Sequence, residues 1–432
     1  MKDIVYWVWL SLCCTPDTAT FPRLLEHYSD AEEIYSLRER ELASILTRPS
    51  ADKTLLCNKD LSRAERILEV CEEKRIQLIP FSDPRLPERV KDIPTPPVLL
   101  YCLGSLPRAD EGLFVGIVGT RSLSDYGRKT AYKLSYDLAS AGATVISGMA
   151  AGIDGVAHAG ALAAGKSTLA VLGTGIDTVY PALHETLRNA IIENGAVISE
   201  YPPGFKGTRI SFPQRNRIIS AFSQAVIVVE GSEKSGAIIT ARHAKKQGRT
   251  VYAVPGMVGN KNSEASLLLL KNGAKVVTAA EDVINDFEKE YPNLNPHLLR
   301  DKPLISLNSA LTEYRVSAIC QSDSFFEPPR PWRRRAEPPP QATVAAQSTV
   351  EAPDVPACIG ASDQPVLKSC VGGIDKAAIA LYQRIPIDGG CLVEELVDEK
   401  TPLREVMKAL LKLEVCSMVK MLPGERVIRK SK

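Results

Sequence analysis

Excess charge of either sign, paired cysteines and long apolar runs are all scarce in this chain, and each scarcity excludes something. Lys and Arg total 53 against 51 Asp and Glu, a formal net charge of +2 over 432 residues. Bulk cationic attraction for a polyanion is thereby excluded, so a nucleic-acid partner requires cations gathered in one place. The ten cysteines form no C-x-x-C pair and the five histidines are scattered, which leaves no zinc-ligand spacing. Without a regular cysteine framework, reduced thiols in a cytoplasmic protein are expected. The apolar run from Ile4 to Cys14, with Trp7 and Trp9 inside it, is far too short to cross a bilayer. It looks like a signal-peptide core, but Asp3 offsets Lys2 and no small-x-small cleavage site follows. A buried first helix and no membrane association are the expectation.

What is present is ordinary globular material: 44% hydrophobic and 24% charged residues. At roughly 100–200 residues per domain, the length suggests two to four domains. Residues 1–79 alternate apolar and charged positions at helical spacing, as in Thr20–Tyr28, Ala31–Leu46 and Leu61–Lys74, and predict a small helical domain. A proline-dense stretch over 80–111 reads as a connector. From 112 to 287, short β-branched runs alternate with segments of helical composition. The runs are Leu113–Val118, Ala143–Ile146, Thr168–Leu172, Ala196–Ile198, Ala225–Val229, Thr250–Val254 and Lys275–Val277. Such alternation predicts a Rossmann-like, doubly wound, mostly parallel α/β sheet with helices on both faces. Residues 288–371, proline-rich with several arginines over 321–356, read as a largely disordered linker. Over 372–432, three short helical stretches (Ile374–Arg384, Leu392–Leu396, Leu403–Leu413) precede a hairpin around Pro423-Gly424, which is a winged-helix-like pattern.

Two phosphate-loop look-alikes carry little. Gly160-x4-Gly165-Lys166-Ser167 fits G-x-x-x-x-G-K-[ST], but it ends a helix and enters a strand, the reverse of what phosphate binding requires. Gly165 there reads as a helix C-cap. Gly173-Thr174-Gly175 follows a strand as a dinucleotide fingerprint would, and Glu200 ends the next strand where a ribose-binding acid would sit. Its third glycine is missing. His158, on the helix after Gly152-Ile153-Asp154, has no nucleophile at triad spacing and reads as structural.

The strand ends carry more. Gly119-Thr120-Arg121, Ser147-Gly148-Met149, Gly173-Thr174-Gly175, Glu230-Gly231 and Pro255-Gly256 all fall just beyond predicted strand C-termini. In an open α/β sheet that edge is where ligands bind, and glycine lets a phosphate approach backbone amides. The stretch Lys206 to Arg217 then holds four cations (Lys206, Arg209, Arg215, Arg217), with Phe212 and Asn216 and no acid, in twelve residues. Guanidinium forks suit phosphate and Phe212 offers a stacking face, so this is the concentrated patch that the net charge demands. A solvated loop whose arginines pair with nearby carboxylates is the alternative. Lys234-Ser235-Gly236, ahead of the helix over 237–247, is a second place for an anion.

Together these residues resemble the DNA-processing protein A family, also called Smf. The resemblance runs in order through Val118-Gly119-Thr120-Arg121, Ser147-Gly148-Met149-Ala150, Gly152-Ile153-Asp154 with His158, and Gly173-Thr174-Gly175-Ile176-Asp177. It continues through Phe212-Pro213-x-Arg215-Asn216-Arg217, Glu230 with Ser235-Gly236, and Val254-Pro255-Gly256. It implies a cytoplasmic single-stranded-DNA-binding protein that protects incoming DNA during natural transformation and loads the RecA recombinase, with a homodimer and no catalytic step, cofactor or metal. The resemblance carries the DNA site over to Arg121, Ser147, Gly148, Phe212, Arg215, Asn216 and Arg217; the strand-end, cation and helix-start readings add Gly119, Lys206, Arg209, Ser235 and Gly236 to the candidate site. The N-terminal domain would be of the SAM or helix-hairpin-helix kind. Ala151 stands where the family usually has Arg, and Glu264 lies where it has Gly and Asn nearby.

Two other functions are weighed. Nucleotide phosphoribohydrolases share a similar Rossmann domain, but they need Pro-Gly-Gly-x-Gly-Thr, and here Pro255-Gly256 continues as Met257-Val258. A winged helix reading duplex DNA would want basic side chains on its later helices, and residues 392–412 are close to neutral.

Overall fold

The computed structural model describes residues 3–47, 50–108, 110–300 and 306–316, and from the C-terminal part residues 381–385, 391–396, 406, 409, 410, 413, 419–422 and 426–429. The chain divides into two compact units, Met1–Arg334 and Arg335–Lys432.

The first unit opens with helices α1 (Ile4–Cys13), α2 (Thr20–Leu25), α3 (Ala31–Ser36), α4 (Glu39–Ile45), α5 (Ala51–Cys57) and α6 (Ser62–Glu73). The apolar run at the start is α1, and Trp7, Val8, Trp9 and Leu10 are all buried. The single helix expected over 31–46 is broken: Leu37 turns extended, and Glu41 caps the amide of Arg38 at 2.7 Å to start α4. Buried Asp52 on α5 gathers the turn between α1 and α2, accepting from Thr15 at 2.5 Å, Thr20 at 2.6 Å and Thr18 at 3.3 Å.

The proline-dense stretch is not a connector. It supplies half of an antiparallel pair, β1 (Gln77–Pro80) and β2 (Leu99–Gly104), with the short helix α7 (Glu88–Lys91) between them. The prolines fall between and at the ends of these strands, where no ladder donor is needed. There follow β3 (Phe114–Val118), α8 (Asp125–Ser140), β4 (Thr144–Ser147), α9 (Ile153–Ala163), β5 (Thr168–Leu172), α10 (Glu185–Asn194) and β6 (Ala196–Ser199). Then come α11 (Ser211–Phe222), β7 (Ala225–Val228), α12 (Gly236–Lys246), β8 (Thr250–Ala253), α13 (Glu264–Lys271), β9 (Lys275–Val276), α14 (Glu281–Phe287) and α15 (Leu307–Glu313).

The nine strands form one sheet in the order β1-β2-β6-β5-β4-β3-β7-β8-β9. Pairing is parallel from β6 to β9, and β2 meets β6 antiparallel. The expected doubly wound α/β architecture is therefore present. Strand residues are apolar on both faces because both are covered. One face packs Val115, Ile117, Val145 and Ile227 against α8, α9 and α14. The other packs Phe114, Ile146, Val171 and Val226 against α11 and α12. The N-terminal helices share a core with Leu99, Tyr101, Ala170, Leu172 and Val197, so they are joined to the sheet rather than tethered to it. Winding runs outward from β3 in one direction to β6, then returns to β3's other side with β7. That reversal opens a crevice at the C-terminal end of β3.

In the second unit, β10 (Cys391–Leu392), β11 (Val419–Leu422) and β12 (Arg426–Arg429) form an antiparallel sheet in the order β10-β12-β11. The β11–β12 hairpin lies where the sequence places one. The expected helix over 392–396 instead begins as strand and continues as a 3-10 turn. The linker expected over 288–371 is corrected at its start: Leu294, Leu299 and, on α15, Ala310 are buried in the core with α8 and α9, so the chain is still packed there because it has apolar positions to bury. Residues 301–305 and 317–371, with the proline-rich stretch 321–356, and most of the three expected helices lie outside the described residues.

Removing the Asp52 carboxylate takes away the acceptor of the Thr15 and Thr20 hydroxyls, while Thr18 keeps its bond to Thr15 O at 2.8 Å. Asp52→Ala is expected to lower stability by about 1–3 kcal/mol. The check is urea unfolding followed by the fluorescence of Trp7 and Trp9, which are packed in the same cluster.

Candidate nucleic-acid interface

A cleft of about 660 Å³ occupies the crevice at the end of β3. Three segments wall it: Gly119, Thr120 and Arg121 after β3; Phe212, Arg215, Asn216 and Ile219 on α11; and Ser232, Ser235, Gly236 and Thr240 around the start of α12. Ala150, Asp154 and Arg209 complete it.

The first wall is fixed by close packing. A Cβ on Gly119 would lie 2.8 Å from Ile153 Cβ and 2.9 Å from Glu230 O, so only glycine lets β3 end there. The Thr120 amide donates to Glu230 O at 2.7 Å, and Thr120 O accepts from Ile153 N at 3.2 Å. Glu230 is itself buried, and its carboxylate takes the Ser124 hydroxyl at 2.5 Å and the Ser124 amide at 3.0 Å. Ser124 caps α8 through the amide of Gly127. One carboxylate thus ties the end of β7 to the start of α8 and frames the loop that carries Arg121.

The second wall is the cation-rich stretch, and it is a helix. The stretch whose alternative reading is a solvated loop turns helical at Ser211. Thr208 Oγ1 accepts from the Ser211 amide at 3.1 Å, the Ser211 hydroxyl answers the Thr208 amide at 2.8 Å, and Pro213 sits in the first turn. Phe212 faces the cleft, with the Arg121 guanidinium 5.7 Å from its ring centre and the Tyr180 ring 5.2 Å away. Asn216 bridges to the third wall, donating to Gly236 O at 3.3 Å. Ser235 precedes α12, and its hydroxyl oxygen, buried in the wall, has no hydrogen-bond partner among the described residues.

Arg215 is 5% exposed. Its Nη1 donates to Gly148 O at 2.9 Å and to Val171 O, so it spans the ends of β4 and β5 beneath the cleft. Burial lowers its pKa to about 10, with Arg121 acting the same way and Asp154 opposing. It therefore remains a fixed cation at neutral pH. Buried Asp154 has its carboxyl pKa raised by desolvation, against the pull of Arg215, Arg121 and the amides of Ala150 and Gly148. Among the described residues this is the one acid lining the cleft, and it is committed to the 148–150 loop rather than presented to solvent.

Eight of the twelve expected residues line the cleft: Gly119, Arg121, Arg209, Phe212, Arg215, Asn216, Ser235 and Gly236. The other four do not. Ser147 is fully buried and donates to Ile117 O at 2.6 Å, holding β4 to β3. Gly148 lies behind Arg215, and a Cβ there would occupy the guanidinium's place. Lys206 is exposed on the preceding loop, away from the lining. Arg217 is a correction: it is 1% exposed and pairs with Glu200 at 2.6 Å, so it points away from the cleft. The stretch lacks acids in sequence, but the fold brings one from the end of β6.

That pairing also disposes of the ribose-binding reading of Glu200. Gly173 and Gly175 pack against Phe212 and against the backbone of Pro202 and Phe205, leaving no room for a phosphate. Gly165, at φ 65°, ends α9 as a cap, and Gly160 lets α8 approach α9. Glu264 accepts from the Glu233 amide at 3.3 Å and, like Ala151, is not among the lining residues. Asp154, Thr120, Ser232 and Thr240 are lining residues that sequence reasoning did not select. Thr120, inside a strand-end triplet, and Asp154, beside a glycine at a helix start, carried a signal.

His158 is structural. Thr168 spends its hydroxyl proton on Val145 O at 2.7 Å, so its oxygen accepts from His158 Nδ1–H at 2.8 Å. The imidazole is neutral, its pKa pulled down to about 3 by burial, with His184 and Arg215 adding to the effect.

A doubly wound sheet with a cationic, acid-poor cleft at its switch point is the architecture of an anion-binding module. The chain belongs to the DNA-processing protein A family: residues 77–288 match the model of DNA recombination-mediator protein A, beginning where β1 begins. It is 35% identical over 288 residues to protein Smf of Synechocystis, covering 66% of this chain and 72% of that one. It is 34% identical over 276 residues to DNA processing protein DprA of Bacillus subtilis, covering 63% and 93%. The crystal structure of DNA processing protein A from Streptococcus pneumoniae superposes with a TM-score of 0.58 at 30% identity, covering 66% of this chain and 98% of that one.

A histidine kept neutral by folding makes stability depend on acid. The unfolded chain protonates it near 6.5, the folded chain near 3, so the unfolded state binds more protons as pH falls through that window and stability is lost. His158→Gln is expected to flatten the loss of urea midpoint between pH 6.5 and about 3. An unchanged slope counts against a neutral His158.

Proposed function

We propose that the cleft binds single-stranded DNA, with the phosphate backbone held by Arg121, Arg209, Asn216, Ser235 and the amides at Gly119 and Gly236. The observation that carries this reading is convergence. A buried cation, an arginine on a clamped loop and the amide end of α12 meet at one switch-point cleft whose single acid is already committed. Phosphate satisfies amides and guanidinium forks together. Phe212, the aromatic residue on the cleft wall, suits unpaired bases, which a duplex would keep stacked away.

The resemblance supports a wider role: protection of incoming DNA in natural transformation, delivery to the RecA recombinase, and action as a homodimer in the cytoplasm. Among the described residues no helix is long and apolar enough to cross a membrane. The proposed action is binding rather than catalysis. Asp154 offers no free carboxylate, and the loop after β8 runs Pro255-Gly256-Met257 without the glycines of a phosphoribohydrolase.

Fluorescence anisotropy with labelled single-stranded and duplex oligonucleotides over a salt series tests the proposal. Single strands are expected to bind better, with log affinity falling linearly against log salt. Arg121→Ala is expected to weaken binding about tenfold on every sequence and to reduce the salt slope by about 0.7, one phosphate contact on a single strand. Equal binding by wild type and variant would remove Arg121 from the site. Release of free base from nucleoside monophosphates would overturn the binding-protein reading.

A further inference from the structure

The back of α11 is as specifically held as its front. Helical spacing puts Phe212, Asn216 and Ile219 on the cleft flank and leaves Gln214 and Arg217 on the other. Against that other flank lies the turn between α1 and α2. Gln214 Nε2 donates to Pro16 O at 2.8 Å, while its Oε1 accepts from Tyr201 at 3.2 Å. The Arg217 guanidinium donates to Glu200 at 2.6 Å and brings Nε within 3.8 Å of the Asp17 carboxylate. Asp17 accepts from Thr95 at 2.8 Å and sits in the left-handed region at φ 58°. The turn is stiffened from behind by Asp52 and its three threonines.

Both partners of the Arg217–Glu200 pair are buried, and Arg217 Nε and Nη1 have no hydrogen-bond partner among the described residues. A cation this deep is stable only while its compensating charges stay in place. One of them, Asp17, belongs to the helical domain. Its other link to α11, Pro16 O, is a carbonyl fixed by the same turn. The helical domain therefore grips the cleft's main helix from behind at two adjacent points.

We propose that Gln214 and Arg217 are positioning residues through which the N-terminal helical domain sets the geometry of the cleft. The inference rests on the reading of that cleft as a DNA site. Its content is a coupling. Docking of the 15–18 turn holds α11, and with it Phe212, Arg215 and Asn216, in place. By linkage, a strand bound in the cleft steadies the turn without needing to touch it.

The test uses the full chain with a labelled oligothymidylate, read by anisotropy and by amide hydrogen exchange with mass spectrometry. Saturating DNA is expected to slow exchange at residues 15–18 in the wild type and to leave it unchanged in Gln214→Ala. Asp17→Gly keeps the left-handed backbone but deletes the carboxylate. It and Gln214→Ala are each expected to weaken binding about fivefold, the scale of one lost hydrogen bond. The double variant falls short of the product of the two losses, because both links hold α11 to the same turn. Wild-type affinity in both variants, or exchange at 15–18 indifferent to DNA, overturns the coupling and leaves the cleft standing. A wild type that binds no single strand overturns both readings. Should a variant not fold, the wild-type exchange measurement decides alone.

Discussion

The Arg215 guanidinium is the interaction around which the cleft is organised. It lies under the sheet edge, bonded to the carbonyls that end β4 and β5. A group of that size can be there only because residue 148 has no Cβ, and nearby Asp154 offsets part of what burial takes from its charge. Asp154 in turn receives amides of the 148–150 loop, whose backbone is left-handed at Met149, φ 54°. His184 steadies that loop by donating to Met149 O at 3.0 Å. Glycine, acid, strained loop and imidazole are thus one arrangement with the cation at its centre.

Sequence patterning captured what depends on period and little that depends on partners. The parallel strands were legible because β-branched runs bounded by glycine have few other solutions, and β5 begins and ends where the pattern places it. The antiparallel pair β1 and β2 was hidden by proline, which reads as linker unless the bare strand ends are known. The start of α11 was hidden differently. Residues 211–217 lack apolar periodicity because one flank lines a polar cleft and the other an ion pair. The local signals of a helix start there are Thr208, which caps through the Ser211 amide, and Pro213 in the first turn.

The candidate site shows the same division. Arg121, Phe212 and Asn216 could be picked from residue type and strand-end position, because a ligand edge requires such groups there. Ser147, Gly148 and Arg217 share those features yet support the cleft from behind. Arg217 looked unpaired because Glu200 lies seventeen positions earlier in the sequence and Asp17 in another domain. Net charge near zero therefore describes the chain well and its parts poorly: Glu200 and Asp17 hold Arg217 behind the cleft, while the described lining of the cleft has three arginines and one acid.

Burial of Arg215 also sets how the cleft responds to its medium. Mobile ions gather around an exposed side chain such as Arg209 and blunt its field within about 8 Å at physiological ionic strength. They cannot crowd a guanidinium enclosed by carbonyls and covered by a helix. The cleft thus combines two kinds of attraction, one that fades in brine and one that fades much less. An anion seated there keeps a short-range hold after its long-range guidance has been switched off.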